Sequence, residues 1–85
     1  MRSETDAVSG VVRSAEGDPI EGVLVMGADL NYVETDPCGR FRLARPEMAV
    51  FFWCTGFLPE ARPLIAGEQH MDVTLRPVLV RRASA

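Results

Sequence analysis

The side chains of this sequence that could take part in chemistry are few and far apart. There is one histidine, His70, one tyrosine, Tyr32, two cysteines, Cys38 and Cys54, and no lysine. A histidine can act as a general base, but no obvious nucleophile accompanies His70, so we interpret it as a solvated residue of a strand. Schiff-base chemistry is excluded because lysine is absent. We therefore predict that the protein is not an enzyme.

The two cysteines leave two alternatives open. They lack the Cys-x-x-Cys spacing of zinc and redox sites, and His70 adds only a third, separate candidate ligand, so we predict neither metal nor cofactor. The acidic residues between positions 29 and 36 do not follow a calcium-loop spacing either. Cys38 and Cys54 could close a disulfide, with a stabilisation on the order of 3 kcal/mol. In a reducing compartment both would remain free thiols.

The stretch Thr-Asp-Pro-Cys-Gly at positions 35–39 has the composition of a structural turn. Asp36 takes the first position of a type I turn, Pro37 the second and Gly39 the last. The Asp36 carboxylate can accept hydrogen bonds from the turn backbone. Gly39 can adopt the left-handed conformation that a bulged hairpin needs. We interpret these residues as a turn rather than a reactive site.

The elements on either side of this turn have the pattern of strands. No 3.6-residue periodicity persists for ten residues, and Gly and Pro interrupt the chain throughout. Short apolar or alternating runs occur instead, at residues 7–14, 23–28, 30–35, 40–44, 50–55, 57–65 and 70–77. The sixth run contains two prolines, which indicates an edge strand or irregular chain. The pattern predicts an all-β fold of seven strands, either a sandwich or a barrel.

Length and composition set further limits. Eighty-five residues form one domain, which we place at residues 7–77, between a disordered N-terminus (1–6) and a C-terminal tail (78–85). The net charge of −3 argues against a nucleic-acid binder. There is no apolar run of membrane-spanning length and no signal peptide, which predicts a cytoplasmic protein that does not bind membranes. A trimmed domain would instead be secreted or belong to the cell envelope.

Several short motifs, taken in order, resemble the carboxypeptidase regulatory-like domain. The resemblance covers roughly residues 7–77. It is carried by Gly10 and Val12; by Gly17, Pro19, Ile20 and Gly22; by Val23 and Val25; by Thr35, Asp36, Gly39 and Phe41; and by Gly56 and Phe57. It implies a seven-stranded antiparallel Greek-key sandwich of the transthyretin (prealbumin) type, which is the fold that we predict. It also implies an accessory module without catalytic residues, of the kind often appended to peptidases, receptors or secreted enzymes.

The run Ala49–Cys54 is apolar at every position and gives the strongest indication of function. A strand places alternate residues on opposite faces, so either Phe51 and Trp53 turn outward or Val50, Phe52 and Cys54 do. An open aromatic patch on so small a domain typically marks a contact surface. The alternative is that a loop or the C-terminal tail covers it.

We therefore predict a non-catalytic binding module with Phe51, Phe52 and Trp53 as candidate contact residues. Its expected partner is another protein or a second copy of the chain, in protein–protein contact or assembly. A small carbohydrate-binding module that uses the Phe51/Trp53 aromatic face is the alternative, because aromatic rings can stack on sugars.

Overall fold

A computed structural model describes residues 7–44, 48–64 and 70–78. These residues form seven strands and no helix: β1 (Val8–Ser14), β2 (Leu24–Gly27), β3 (Tyr32–Glu34), β4 (Arg40–Leu43), β5 (Ala49–Trp53), β6 (Glu60–Pro63) and β7 (His70–Leu75). The predicted all-β class and seven strands are confirmed. The described residues contain no helix that could cross a membrane. The predicted N-terminal segment, and the predicted tail beyond Val78, lie outside the described residues.

The strands form two sheets whose inner faces share one core. One sheet has three strands in the order β4-β1-β7, and the other has four in the order β3-β2-β5-β6. The prediction of a wholly antiparallel arrangement is wrong, because β7 runs parallel to β1 while the other strand pairs in the described residues are antiparallel. β7 follows β6, a strand of the other sheet, so no hairpin forces it to run against its neighbour.

Alternating apolar residues supply the core. β1, β2, β4, β5 and β7 bury alternate residues. Eleven buried apolar residues from both sheets and their connections form one cluster: Val8, Val12, Val23, Val25, Phe41, Leu43, Val50, Phe52, Met71, Val73 and Leu75. Phe41 of the three-stranded sheet meets Phe52 of the four-stranded sheet edge to face, with ring centroids 5.5 Å apart. Such an aromatic pair contributes about 0.5–1.5 kcal/mol beyond the area it buries. The two sheets are therefore packed against each other through this cluster.

The turn at residues 36–39 carries the chain from the four-stranded to the three-stranded sheet. The Asp36 carbonyl accepts a hydrogen bond from the Gly39 N–H (2.8 Å), and its carboxylate accepts two more from the N–H groups of Cys38 (2.9 Å) and Arg40 (2.8 Å). Gly39 has a φ of 77°, and its carbonyl accepts from the Val12 N–H of β1. The turn is thus fixed to the neighbouring strand as well as to itself.

Side chains also join the two sheets along both sides of the molecule. Near the turn between β2 and β3, the Asn31 amide donates to the Ala44 carbonyl just after β4 (3.1 Å). On the opposite side, the Arg62 guanidinium on β6 donates to the Asp72 carbonyl on β7 (3.1 Å). The Arg62 bond occupies a carbonyl at the edge of β7. Unpaired backbone groups at the edge of a sheet can otherwise form hydrogen bonds with a strand of another chain.

Thr35 anchors the loop before β2. It is the buried polar residue of the described chain, and its hydroxyl donates to the Ile20 carbonyl (2.7 Å) while accepting from the Val23 N–H (2.9 Å). A buried hydroxyl costs little free energy when both of its hydrogen-bonding roles are used. The loop at residues 20–23 therefore has a fixed position beside the core.

Candidate functional site

β5 shows which aromatic residues face outward. Val50 and Phe52 point into the core, whereas Phe51 and Trp53 keep 41% and 53% of their surface exposed. The prediction that Phe52 is a contact residue is wrong, because only 1% of its surface is exposed. Both outcomes follow from the alternation of a strand, in which Phe51 and Phe52 must face opposite ways. Phe51 and Trp53 remain as candidates.

Neighbouring strands extend this outward surface. Met26 of β2 lies opposite Phe51 on one side and Tyr32 of β3 on the other. In the next row, Leu24 lies between Trp53 and Glu34. We call the outward set of apolar residues the apolar face: Leu24, Met26, Tyr32, Phe51 and Trp53.

Sequence reasoning missed Leu24, Met26 and Tyr32 as members of this surface. The alternation of the second run does place Leu24 and Met26 on one face. What joins them to Phe51 and Trp53 is the pairing of β2 with β5, two strands that are distant in sequence. No local signal gives that pairing, and without it Tyr32 and Trp53 do not belong to a common surface.

The apolar face is large for so small a protein. Tyr32 is 59% exposed, so this ring and those of Phe51 and Trp53 each leave about half of their area open. With roughly 200 Å² for each aromatic side chain, the three expose about 300 Å². That area falls in the range of the largest patches on typical monomers, which are often functional. No described segment of the chain covers these rings.

Charge is sparse on this surface. Glu34 is the one ionisable carboxylate at the outward strand positions that flank the apolar residues, and no arginine occupies such a position in the described strands. An outward sheet face ordinarily carries polar side chains. The apolar face is therefore unusual for a surface that meets only water.

No protein-family model matches the chain, and no curated protein matches its sequence. Of the residues singled out in the sequence, Phe51 and Trp53 are brought together on one face, whereas the two cysteines and His70 are not.

The cysteines are both free thiols, so the disulfide alternative is not formed in this structure. Cys38 is exposed in the turn at residues 36–39, whereas Cys54 is partly buried and packs against the core. They occupy different environments, one in water and one at the edge of the apolar cluster. Cys38 is therefore the thiol that reagents in water reach more readily.

His70 lies on the outer face of β7, in the other sheet from the apolar face. Its Nε2 atom is 3.2 Å from a carboxylate oxygen of Asp72, and both side chains are exposed. The described residues hold no group of three or more His, Cys, Asp or Glu side chains that could bind a metal ion. The pair is an exposed contact between neighbouring outward positions of one strand.

Proposed function

We propose that this protein is a non-catalytic binding module that makes protein–protein contact through its apolar face, with a second copy of the chain as the partner. In this proposal the fold is a Greek-key sandwich of the transthyretin type, similar to carboxypeptidase regulatory-like domains. The observation that carries the proposal is the continuity of two outward rows, Tyr32–Met26–Phe51 and Leu24–Trp53.

The area of exposed apolar surface suits a standard interface. Such an interface covers about 800 Å² of each partner, of which roughly 57%, or about 450 Å², is non-polar. The three rings supply about 300 Å² of this. Two further apolar residues, Leu30 (72% exposed) and Met48 (80% exposed), lie at one end of the same sheet. With them and parts of Leu24 and Met26, the apolar share of a standard interface can be met.

A second copy is the partner that this chemistry favours. The apolar face carries no cation and is flanked by one carboxylate, so the surface that covers it must itself be apolar. The same face on another molecule meets that requirement. Two such faces can pack about a two-fold axis, the commonest symmetry of homo-oligomers.

Light scattering behind a sizing column tests this proposal. We expect the wild-type protein to be a dimer in reductant and Trp53→Arg to be a monomer, because a dimer would bury the new charge without a partner. Val11→Arg is the matched control, since Val11 is on the outer side of the central strand of the other sheet, and we expect it to remain a dimer. Circular dichroism checks that each variant is folded.

Three results would overturn self-association. The first is a wild-type protein that remains monomeric at millimolar concentration, and the second is a dimer that Trp53→Arg leaves intact. A dimer that disappears on addition of reductant would reflect the exposed Cys38 thiol and would also contradict the proposal.

Carbohydrate binding is the second candidate, favoured by the exposure of three rings on one sheet face. Aromatic rings of this kind can stack on sugars, and the Glu34 carboxylate in the Leu24–Trp53 row could accept hydrogen bonds from hydroxyl groups. Titration calorimetry with cellohexaose and xylohexaose tests it. Binding to the wild-type protein that is lost in Trp53→Ala would favour this function over self-association.

A further inference from the structure

The outer face of the three-stranded sheet has a chemistry opposite to that of the apolar face. Its outward residues form rows across the strands, and the register gives these rows as Arg42–Ser9–His70, Arg40–Val11–Asp72 and Arg13–Thr74. The next outward positions are Ala15 and Arg76, which line one groove together with Thr74. Each of these four rows contains one arginine.

The four arginines follow a diagonal across the sheet. We call Arg42, Arg40, Arg13 and Arg76 the arginine line. Successive rows are two residues apart, or about 7 Å along the strands. The line begins on β4, passes through β1 and ends just after β7. It therefore spans about 20 Å with a guanidinium group at each step.

These guanidinium groups are available to a ligand. In the described part of the chain, the side chains of Arg40, Arg42 and Arg76 are exposed and have no ion-pair partner. Arg13 has only a distant contact, 3.9 Å from a carboxylate oxygen of Asp72, and both groups are exposed. Exposed pairs at that distance contribute little stability, so an incoming anion can compete for Arg13.

We propose that the arginine line binds an extended acidic segment of a partner protein. Alternate side chains of an extended peptide are about 7 Å apart, which is the step between rows. Carboxylates also accept the paired hydrogen bonds that an arginine donates. Among the described residues, the outward strand positions of this face hold no Phe, Tyr or Trp ring on which a base or sugar could stack.

A groove at the Arg76 end adds a second element of recognition. It has a volume of about 770 Å³ and is lined by Ala15, Leu58, Thr74, Arg76, Pro77 and Val78. Its wall is held by hydrogen bonds from the Leu58 N–H to the Arg76 carbonyl (2.8 Å) and from the Val78 N–H to the Gly56 carbonyl (3.0 Å). The preferred segment should therefore have an apolar side chain next to its carboxylates.

Asp72 is expected to lower the affinity of the arginine line for acidic ligands. It lies in the Arg40 row, two strands away from that arginine, and its carboxylate is exposed. A carboxylate beside the line repels an acidic ligand and competes for Arg13. The proposal therefore predicts that Asp72→Asn increases the affinity for acidic peptides.

Fluorescence anisotropy at low ionic strength tests the proposal with two labelled peptides, Leu-(Glu)6-Leu and Gly-(Glu)6-Gly. Six extended residues span about 20 Å, the length of the line. We expect Arg40→Gln/Arg42→Gln to lose about tenfold or more in affinity. Arg62→Gln removes an arginine outside the line and should change affinity less than about twofold.

The two peptides also test the groove. The leucine peptide should bind about tenfold more tightly than the glycine peptide, and Leu58→Asn should abolish that difference.

Several results would overturn this inference. One is that neither peptide binds at low ionic strength. Another is that Arg62→Gln loses as much affinity for the peptides as Arg40→Gln/Arg42→Gln does. If a heparin hexasaccharide or an eight-nucleotide oligothymidine bound more tightly than the peptides, the ligand of the arginine line would be a different polyanion and not an acidic peptide. Because Trp53 is in the other sheet, Trp53→Arg should bind these peptides normally, which separates this test from that of the apolar face.

Discussion

Gly39 combines a positive φ with a close backbone neighbour, so two separate constraints oppose its replacement. Its φ is 77°, and an added Cβ atom would lie 2.5 Å from the Val12 carbonyl oxygen. Gly39→Val combines backbone strain with this clash, so we expect the free energy of unfolding to fall by about 2–4 kcal/mol. Urea denaturation followed by tryptophan fluorescence measures the change.

Gly17 provides the matched control for Gly39. Its φ is also positive, at 95°, but nothing lies within 4 Å of an added Cβ atom. In Gly17→Val only backbone strain should lower the free energy of unfolding, by about 1–2 kcal/mol. Equal losses in the two variants would show that the Val12 carbonyl is not a steric constraint.

The turn that contains Gly39 could be predicted from the sequence, but its contact with Val12 could not. The turn at residues 36–39 follows from local chemistry, because Asp36, Pro37 and Gly39 each suit one position of it. The contact between Gly39 and Val12 joins residues that are distant in sequence, and no local pattern contains it. The same limit applied to Phe51 and Phe52, which are equally apolar and are told apart only by which face of β5 meets the core.

At the scale of elements, the alternation of polar and apolar residues was enough to predict which side chains face the core in strands with one face in water. β4 and β7 alternate between charged or polar and apolar residues, so their inward sets could be predicted from the sequence. β5 is apolar on both faces, and alternation cannot choose between them. The parallel pairing of β7 with β1 was not predictable either, because it depends on a crossing between the two sheets.

The turn between β2 and β3 contains a strained residue that the strands do not require. The Gly27 N–H donates to the Asn31 carbonyl and the Leu30 N–H to the Gly27 carbonyl, which closes a short hairpin loop. Leu30 has a φ of 71°, a conformation that favours glycine or asparagine. In the monomeric Trp53→Arg background, where Leu30 is outside any dimer interface, Leu30→Asn should therefore stabilise the protein by about 0.5–1 kcal/mol and raise its melting temperature by about 2–8 °C.

Leu58→Asn is the control for this prediction. Leu58 is an exposed leucine without a positive φ, so the same change of side chain should bring no stabilisation there. A melting temperature that falls in Leu30→Asn would mean that the Leu30 side chain contributes more to the fold than its conformation costs.

At the scale of the whole molecule, the two proposed surfaces are on opposite sides of the core. The apolar face belongs to the four-stranded sheet and the arginine line to the three-stranded sheet. A dimer joined through its apolar faces would therefore carry its two arginine lines on opposite outer surfaces. Such a dimer has two binding sites that point away from each other and cannot both engage one short peptide.

This arrangement predicts cross-linking by a long acidic chain. Poly-L-glutamate of about 100 residues can reach arginine lines on several dimers, so light scattering should rise near equivalence and fall again when the polymer is in excess. Trp53→Arg should bind the same polymer without the rise, because each monomer offers one site. Arg40→Gln/Arg42→Gln should remain a dimer and bind weakly. A Trp53→Arg protein that still cross-links the polymer would show that the molecules are joined through a surface other than the apolar face.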